Sequence, residues 1–102
     1  MNAIDYERRK ATYQVALEAW GPEAQTKMAV EEMSELTKEI CKIWRGKIDR
    51  EALADEIADV TIMLEQLRLI YNVNDAVCAH MDKKIRRLKG RLGIQEGDAD
   101  GL

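Results

Sequence analysis

The chain has 102 residues, of which 46% are hydrophobic and 34% charged, and its net charge is −3. This composition favours a folded, helix-rich protein of one domain over a disordered chain. No apolar run approaches the roughly 20 residues that cross a bilayer, and the N-terminus lacks the apolar stretch of a signal peptide. We therefore expect a cytoplasmic protein without a membrane span.

The acidic residues are unevenly distributed. Residues 95–102 carry three of the 19 acids and no base, so 16 acids and 16 bases remain in residues 1–94. We expect residues 1–94 to form a single all-α domain and the Gly-rich residues 95–102 to be a disordered acidic tail. Because residues 1–94 are formally neutral, we do not expect general nucleic-acid binding.

Two helices are predicted in the first half of the chain. The first runs from about Asp5 to Ala19 and ends at Gly21, a residue that commonly ends helices. Pro22 suits the first turn of the second helix, where it loses no hydrogen bond. The second helix continues to about Trp44.

Two further helices are predicted in the second half. Asp49 is the expected N-cap of the third, which runs to residue 70 or 71. The fourth has Asn74 or Asp75 as its expected N-cap and runs to about Leu92, before Gly93. Because short connections favour antiparallel neighbours, we expect a four-helix bundle-like subunit of antiparallel helices.

The third helix has the clearest hydrophobic period. Its apolar residues follow steps of four and three and form one stripe: Leu53, Ile57, Val60, Leu64, Leu67 and Tyr71. The second helix has a similar stripe: Met33, Leu36, Ile40 and Ile43 or Trp44. We expect both stripes to face the core. The apolar excess of the third helix predicts a subunit interface, and hence a helical oligomer.

Two acidic pairs flank these stripes. Glu32 and Glu35 lie on the second helix, and Glu56 and Asp59 lie on the third. Residues three apart share a helix face, so antiparallel packing would bring the four carboxylates to one edge of the bundle. Converging anions need a cation, and oxygen ligands without His or Cys favour Mg²⁺ or Mn²⁺ over zinc.

These acids have two alternative explanations. The first is a di-iron bundle, which needs two Glu-x-x-His motifs. The chain has one histidine, His80, and the residue three positions before it is Val77, so a di-iron site is excluded. The pairs are otherwise explained as solvated helix faces, since helices are rich in glutamate. The neighbouring acids are expected to be exposed helix charges: Glu31, Glu39, Glu51 and Asp55.

The acidic spacing resembles that of a known enzyme family. Glu31-Glu32-x-x-Glu35, twenty residues, then Glu56-x-x-Asp59 is similar to the signature of the MazG-like all-α nucleoside triphosphate pyrophosphohydrolases. The flanking segments WGPEAQTKMAVEEMSEL and ADEIADVTIMLEQL agree, and the similarity covers roughly residues 14–92.

The resemblance implies a site and a reaction. Glu32, Glu35, Glu56 and Asp59 would be the Mg²⁺ ligands and catalytic residues. The substrate would be an NTP or dNTP, cleaved between the α and β phosphates to a monophosphate and pyrophosphate. The family also implies a homodimer or homotetramer.

A basic run lies near the end of the predicted fourth helix. Residues 83–91 hold six cations, and Lys84, Arg87 and Arg91 share a helix face. The resemblance makes Lys84 and Arg87 substrate-phosphate contacts. One alternative is a solvated helix end favoured by the helix dipole. Nucleic-acid binding is not expected, because the run lacks interleaved aromatic residues.

Two function hypotheses follow. The first is an Mg²⁺-dependent nucleotide pyrophosphohydrolase for house-cleaning or control of the nucleotide pool. The second is a non-catalytic helical oligomer or regulatory interaction module whose acidic faces are merely solvated. Dependence on a metal ion separates them.

Overall fold

The computed structural model describes residues 3–95, which are helical apart from short connections. Three helices follow one another: α1 (Ala3–Trp44), α2 (Arg50–Ile70) and α3 (Asn74–Leu92). No strand occurs among the described residues. The predicted all-α class is confirmed. None of the helices in residues 3–95 is long and apolar enough to cross a membrane.

The chain divides into two compact units, with the boundary between Asn72 and Val73. The first unit holds α1 and α2, and the second holds α3. The expected single domain and four-helix bundle remain predictions. Apart from Gln95, the expected acidic tail lies outside the described residues.

Helix α1 contains a break at Gly21. The backbone of this residue is non-helical, with φ 84° and ψ 161°, a conformation that is essentially restricted to glycine. Pro22 follows directly and resumes the helix. The sequence predicted that one helix ends here and that the next begins at Pro22, and the non-helical backbone of Gly21 confirms this. The continuous segment α1 therefore holds the first two predicted helices, one on each side of Gly21.

Two of the predicted signals at the ends of α2 and α3 are confirmed, but the predicted N-cap of α3 is wrong. That cap is Val73, which makes no side-chain capping hydrogen bond, where Asn74 or Asp75 was expected. The Asp49 carboxylate accepts a hydrogen bond from the Ala52 backbone N–H at 3.1 Å, which confirms it as the N-cap of α2. Gly93 ends α3 in the left-handed conformation, with φ 71°. Both predictions follow from the free backbone groups at helix ends.

Within the first unit, residues 22–44 of α1 pack antiparallel to α2. Gln25 Nε2 donates to Gln66 Oε1 at 2.6 Å, and both side chains are buried. Farther along α1, Glu32 pairs with Asp59, nearer the start of α2. The buried apolar side chains of this unit are few: Tyr6, Tyr13, Ala29, Val60 and Met63.

The prediction that both apolar stripes face the core is wrong in part. Val60 is buried, but Ile57, Leu64 and Tyr71 are 47%, 44% and 56% exposed. Met33 and Ile40 on α1 are likewise exposed. The reason is that α1 covers the neighbouring arc of α2, which carries Met63 and Gln66, and leaves the outer half of the stripe uncovered.

Residues 3–20 of α1 are attached to α2 by a buried charge. Glu65 is 2% exposed and accepts hydrogen bonds from Arg9 Nε at 2.9 Å and Arg9 Nη2 at 3.0 Å. The Tyr13 hydroxyl also donates to Glu65. Burial alone would raise the pKa of Glu65, but these hydrogen bonds and the charges of Arg9 and Arg68 lower it overall. Burial, followed by the bond to Glu65, raises the pKa of Tyr13 to about 12.

Candidate metal centre

Three carboxylates meet where α1 packs on α2. Glu32 comes from α1, and Glu56 and Asp59 come from adjacent turns of α2. One carboxylate oxygen from each lies within 4.8 Å of the others, and all three residues are half-buried. The convergence arises because antiparallel packing sets Glu32 opposite the i, i+3 pair on α2.

Burial and mutual repulsion shift the pKa values in this group. The pKa of Glu32 is raised, first by burial, then by a hydrogen bond with Asp59 and by the charges of Asp59, Glu56 and Glu35. The pKa of Glu56 is also raised, again chiefly by burial and then by neighbouring acids including Asp59. Both shifts mean that the group favours a bound proton or cation over three free negative charges.

A buried oxygen of the Glu56 carboxylate gives further support for a cation. Glu56 Oε2 is buried and has no hydrogen-bond partner among the described residues. A buried carboxylate oxygen without a donor is costly and calls for an explanation such as an ion. Three hard oxygen donors, with no sulfur or nitrogen in the group, fit Mg²⁺ or Mn²⁺.

Glu35, the fourth predicted ligand, lies outside this group of three. Its carboxylate accepts a hydrogen bond from Lys38 at 3.3 Å, and its side chain is 52% exposed. Its charge nevertheless raises the pKa of both Glu32 and Glu56. Glu35 is therefore close enough to contribute to the field of the site, while an ion pair of its own holds the carboxylate at the rim.

Glu39 was expected to be an exposed charge, and this was wrong. Its side chain is only 13% exposed and receives a hydrogen bond from Lys42 at 2.7 Å. This bond also raises the pKa of Lys42, and the charge of Glu39 contributes to the raised pKa of Glu56. The sequence signal was its position one heptad after Glu32, which places both on one helix face.

The predicted phosphate contacts lie on α3. Lys84 and Arg87 are both exposed and are three residues apart, so they share a face of that helix. Because α3 belongs to the second compact unit, their contact with a triphosphate remains a prediction.

The chain was compared with proteins of known family, function and structure. No family model matches it, and neither the curated proteins nor the solved structures give a match. A functional proposal therefore rests on the chemistry of the site and on the spacing of its residues.

Proposed function

We propose that this protein is an Mg²⁺-dependent nucleotide pyrophosphohydrolase of the MazG-like type. It would cleave NTPs or dNTPs between the α and β phosphates, and it would release a nucleoside monophosphate and pyrophosphate. The observation that carries the proposal is the grouping of Glu32, Glu56 and Asp59, in which Glu56 also has a buried oxygen with no hydrogen-bond partner among the described residues. The substrate class comes from the resemblance of the acidic spacing to that family.

The ligand set follows from the charges of the site. Glu32, Glu56 and Asp59 would hold the metal ion directly, and Glu35 would join them on leaving Lys38. A triphosphate is strongly anionic and is repelled by bare carboxylates. Mg²⁺ held there would offset this repulsion, stabilise charge on the phosphoryl oxygens and acidify or orient the attacking water.

The remaining steps need only residues that this chain supplies. Because water is the nucleophile, no Ser, Cys or His dyad is required. An ionised carboxylate of the acidic group would take the proton from the water. Lys84 and Arg87 would bind the substrate phosphates through charge-assisted hydrogen bonds. We place the reaction in the cytoplasm, as house-cleaning or control of the nucleotide pool.

The test is pyrophosphate release from a panel of NTPs and dNTPs, with Mg²⁺ and with EDTA. We expect release with Mg²⁺ and none with EDTA. Asp59→Asn should lower turnover by at least about 100-fold, because several kcal/mol of metal-based stabilisation would be lost. Glu51→Gln is the matched control, since Glu51 is an exposed acid on the same helix, and it should retain native turnover.

Two results would contradict the proposal. Release that persists in EDTA would rule out the metal, and full activity of Asp59→Asn would rule out this site. Silence across the panel, together with no stabilisation by Mg²⁺, would favour the second candidate, a non-catalytic helical oligomer. The observation behind that candidate is the large apolar surface that α1 and α2 expose.

A further inference from the structure

The connection between α1 and α2 concentrates positive charge at one end of the helix pair. We call residues 42–50 the basic turn, because they hold four bases and one acid: Lys42, Arg45, Lys47 and Arg50 with Asp49. The Asp49 carboxylate already accepts a hydrogen bond from the Ala52 backbone N–H. Arg45, Lys47 and Arg50 are exposed and make no ion pair among the described residues.

Backbone hydrogen bonds order the basic turn. The Gly46 N–H donates to the Ile43 carbonyl at 2.9 Å, and the Lys47 N–H donates to the Lys42 carbonyl at 2.9 Å. Gly46 has a positive φ of 73°. Together these features form a Schellman motif, which satisfies the free carbonyls at the end of α1. The cations of the turn are therefore carried by a fixed backbone.

Lys42 extends this positive charge toward the candidate metal centre. It follows Glu35 by seven residues, which places both on the same face of α1, two turns apart. Side chains on a helix lean toward its N-terminus, and the Lys42 ammonium accordingly donates back to Glu39 at 2.7 Å. The charge of Glu39 in turn contributes to the raised pKa of Glu56. Glu39 therefore connects the ammonium with the edge of the acidic group.

The α2 side of the site has the same order of residues. Asp49 precedes Glu56 by seven residues, so the two acids share a face of α2. The pKa of Lys42 is raised first by its bond with Glu39 and by the charge of Glu39, and also by the charge of Asp49. The ammonium is therefore near both helices, on the face that continues from the metal centre to the basic turn.

The ion pair with Glu39 leaves the ammonium open to a further ligand. The Lys42 side chain is 44% exposed, whereas that of Glu39 is only 13% exposed. An ammonium group has three N–H donors, and the bond to Glu39 uses one of them. Phosphate oxygens are strong acceptors for the remaining donors.

The arrangement of charge along this face selects the class of ligand. Acids in the bodies of α1 and α2 attract a cation, and the bases of the basic turn attract an anion. An extended polyanion, such as a nucleic acid or an anionic membrane, would meet the exposed acids of both helices as well as the bases. A metal-bound phosphate chain carries both charges in one small ligand and matches both regions.

We propose that the basic turn is a phosphate subsite of the candidate metal centre, in which Lys42 binds the terminal phosphates of the substrate and Arg45 and Lys47 attract them. These phosphates leave as pyrophosphate in the proposed reaction, so Lys42 also offsets the charge that develops on the leaving group. The inference rests on the proposed function for its substrate. It adds contacts within the first unit to those expected from Lys84 and Arg87.

The test is binding of inorganic pyrophosphate to the full chain with Mg²⁺, measured by calorimetry at pyrophosphate concentrations up to the millimolar range. Lys42→Met should raise the dissociation constant at least about tenfold, because a charge-assisted hydrogen bond is lost. Stabilisation of the chain by Mg²⁺ alone should be retained, because the acidic group is intact. Lys27→Met is the matched control and should bind as the native chain does. Lys27 also pairs with a glutamate on α1, Glu23 at 3.2 Å, and lies fifteen residues before Lys42.

Two further variants separate loss of the contact from loss of the fold. Lys42→Arg keeps the charge and should recover most of the binding. Lys47→Gln changes an exposed residue without an ion pair and should weaken binding about threefold, because solvent and salt screen its charge. Both should keep the helical circular dichroism of the native chain.

The outcomes for the subsite and for the reaction are distinct. Native affinity in Lys42→Met would overturn the subsite, as would a native chain that does not bind pyrophosphate with Mg²⁺. Mg²⁺-dependent hydrolysis of nucleotides would in either case leave the proposed function standing. Pyrophosphate binding that falls with Lys42→Met, in a chain that cleaves no nucleotide, would support the subsite and contradict the proposed reaction.

Discussion

The buried carboxylate of Glu65 gives the sharpest stability prediction. Glu65→Gln removes the negative charge but keeps nearly the same shape. Breaking a buried ion pair typically costs about 3–5 kcal/mol. Here the Arg9 side chain is 37% exposed and stays partly hydrated, and the new amide keeps one acceptor oxygen. We therefore expect a loss of about 2–3 kcal/mol in the free energy of unfolding.

Urea unfolding followed by circular dichroism measures this loss. Glu23→Gln is the control, because Glu23 pairs with Lys27 at 3.2 Å where both side chains are largely exposed. Its expected cost is below about 0.5 kcal/mol. Tyr13→Phe should cost about 1–2 kcal/mol, since it removes one hydrogen bond to the same carboxylate. If Glu65→Gln cost no more than Glu23→Gln, the buried pair would not be a stabilising contact.

Three further predictions concern acid, the Gly21 break and the metal centre. The pKa of Glu65 is lowered in the folded state, so its stabilisation is present above the unfolded pKa of about 4.3 and is lost as the pH falls further. In an acid titration, the free energy of unfolding should therefore fall less in Glu65→Gln than in the native chain. Gly21→Ala should lower the free energy of unfolding in urea by about 1–3 kcal/mol, because the added methyl meets open space and only the positive φ is strained. Gly90→Ala, at an open helical position, is the control and should be neutral or stabilising. An equal loss of stability in both variants would refute this reasoning. Glu56→Gln should raise the unfolding midpoint in EDTA, because repulsion among the carboxylates falls, and it should lose most of the stabilisation that Mg²⁺ gives the native chain. A lower midpoint in EDTA with the stabilisation by Mg²⁺ retained would contradict a cation site.

Local signals were sufficient to predict several features. Asp49 caps α2 and Gly93 ends α3 as predicted, because a cap depends on backbone groups only a few residues away. The interruption at Gly21 was found for the same reason.

The candidate metal centre depended on both levels. The i, i+3 spacing within each acidic pair was readable from the sequence, and antiparallel packing then brought Glu32 to Glu56 and Asp59. The position of Glu35 at the rim was not predicted, although its partner Lys38 lies at the same i, i+3 spacing on α1. Glu39 showed the opposite outcome, since packing covered a residue that looked like an ordinary exposed charge.

The sequence by itself determined the helical class, most of the helix ends and the acidic pairs at i, i+3 spacing, because these depend on residues close together along one helix. Only the tertiary structure decided which arc of α2 is buried. The apolar stripe is wider than one neighbouring helix can cover, so packing against α1 buries Val60 and leaves Ile57 and Leu64 exposed. The partner of Glu65 was likewise a tertiary outcome, since Arg9 lies 56 residues away in the chain and no local pattern connects them.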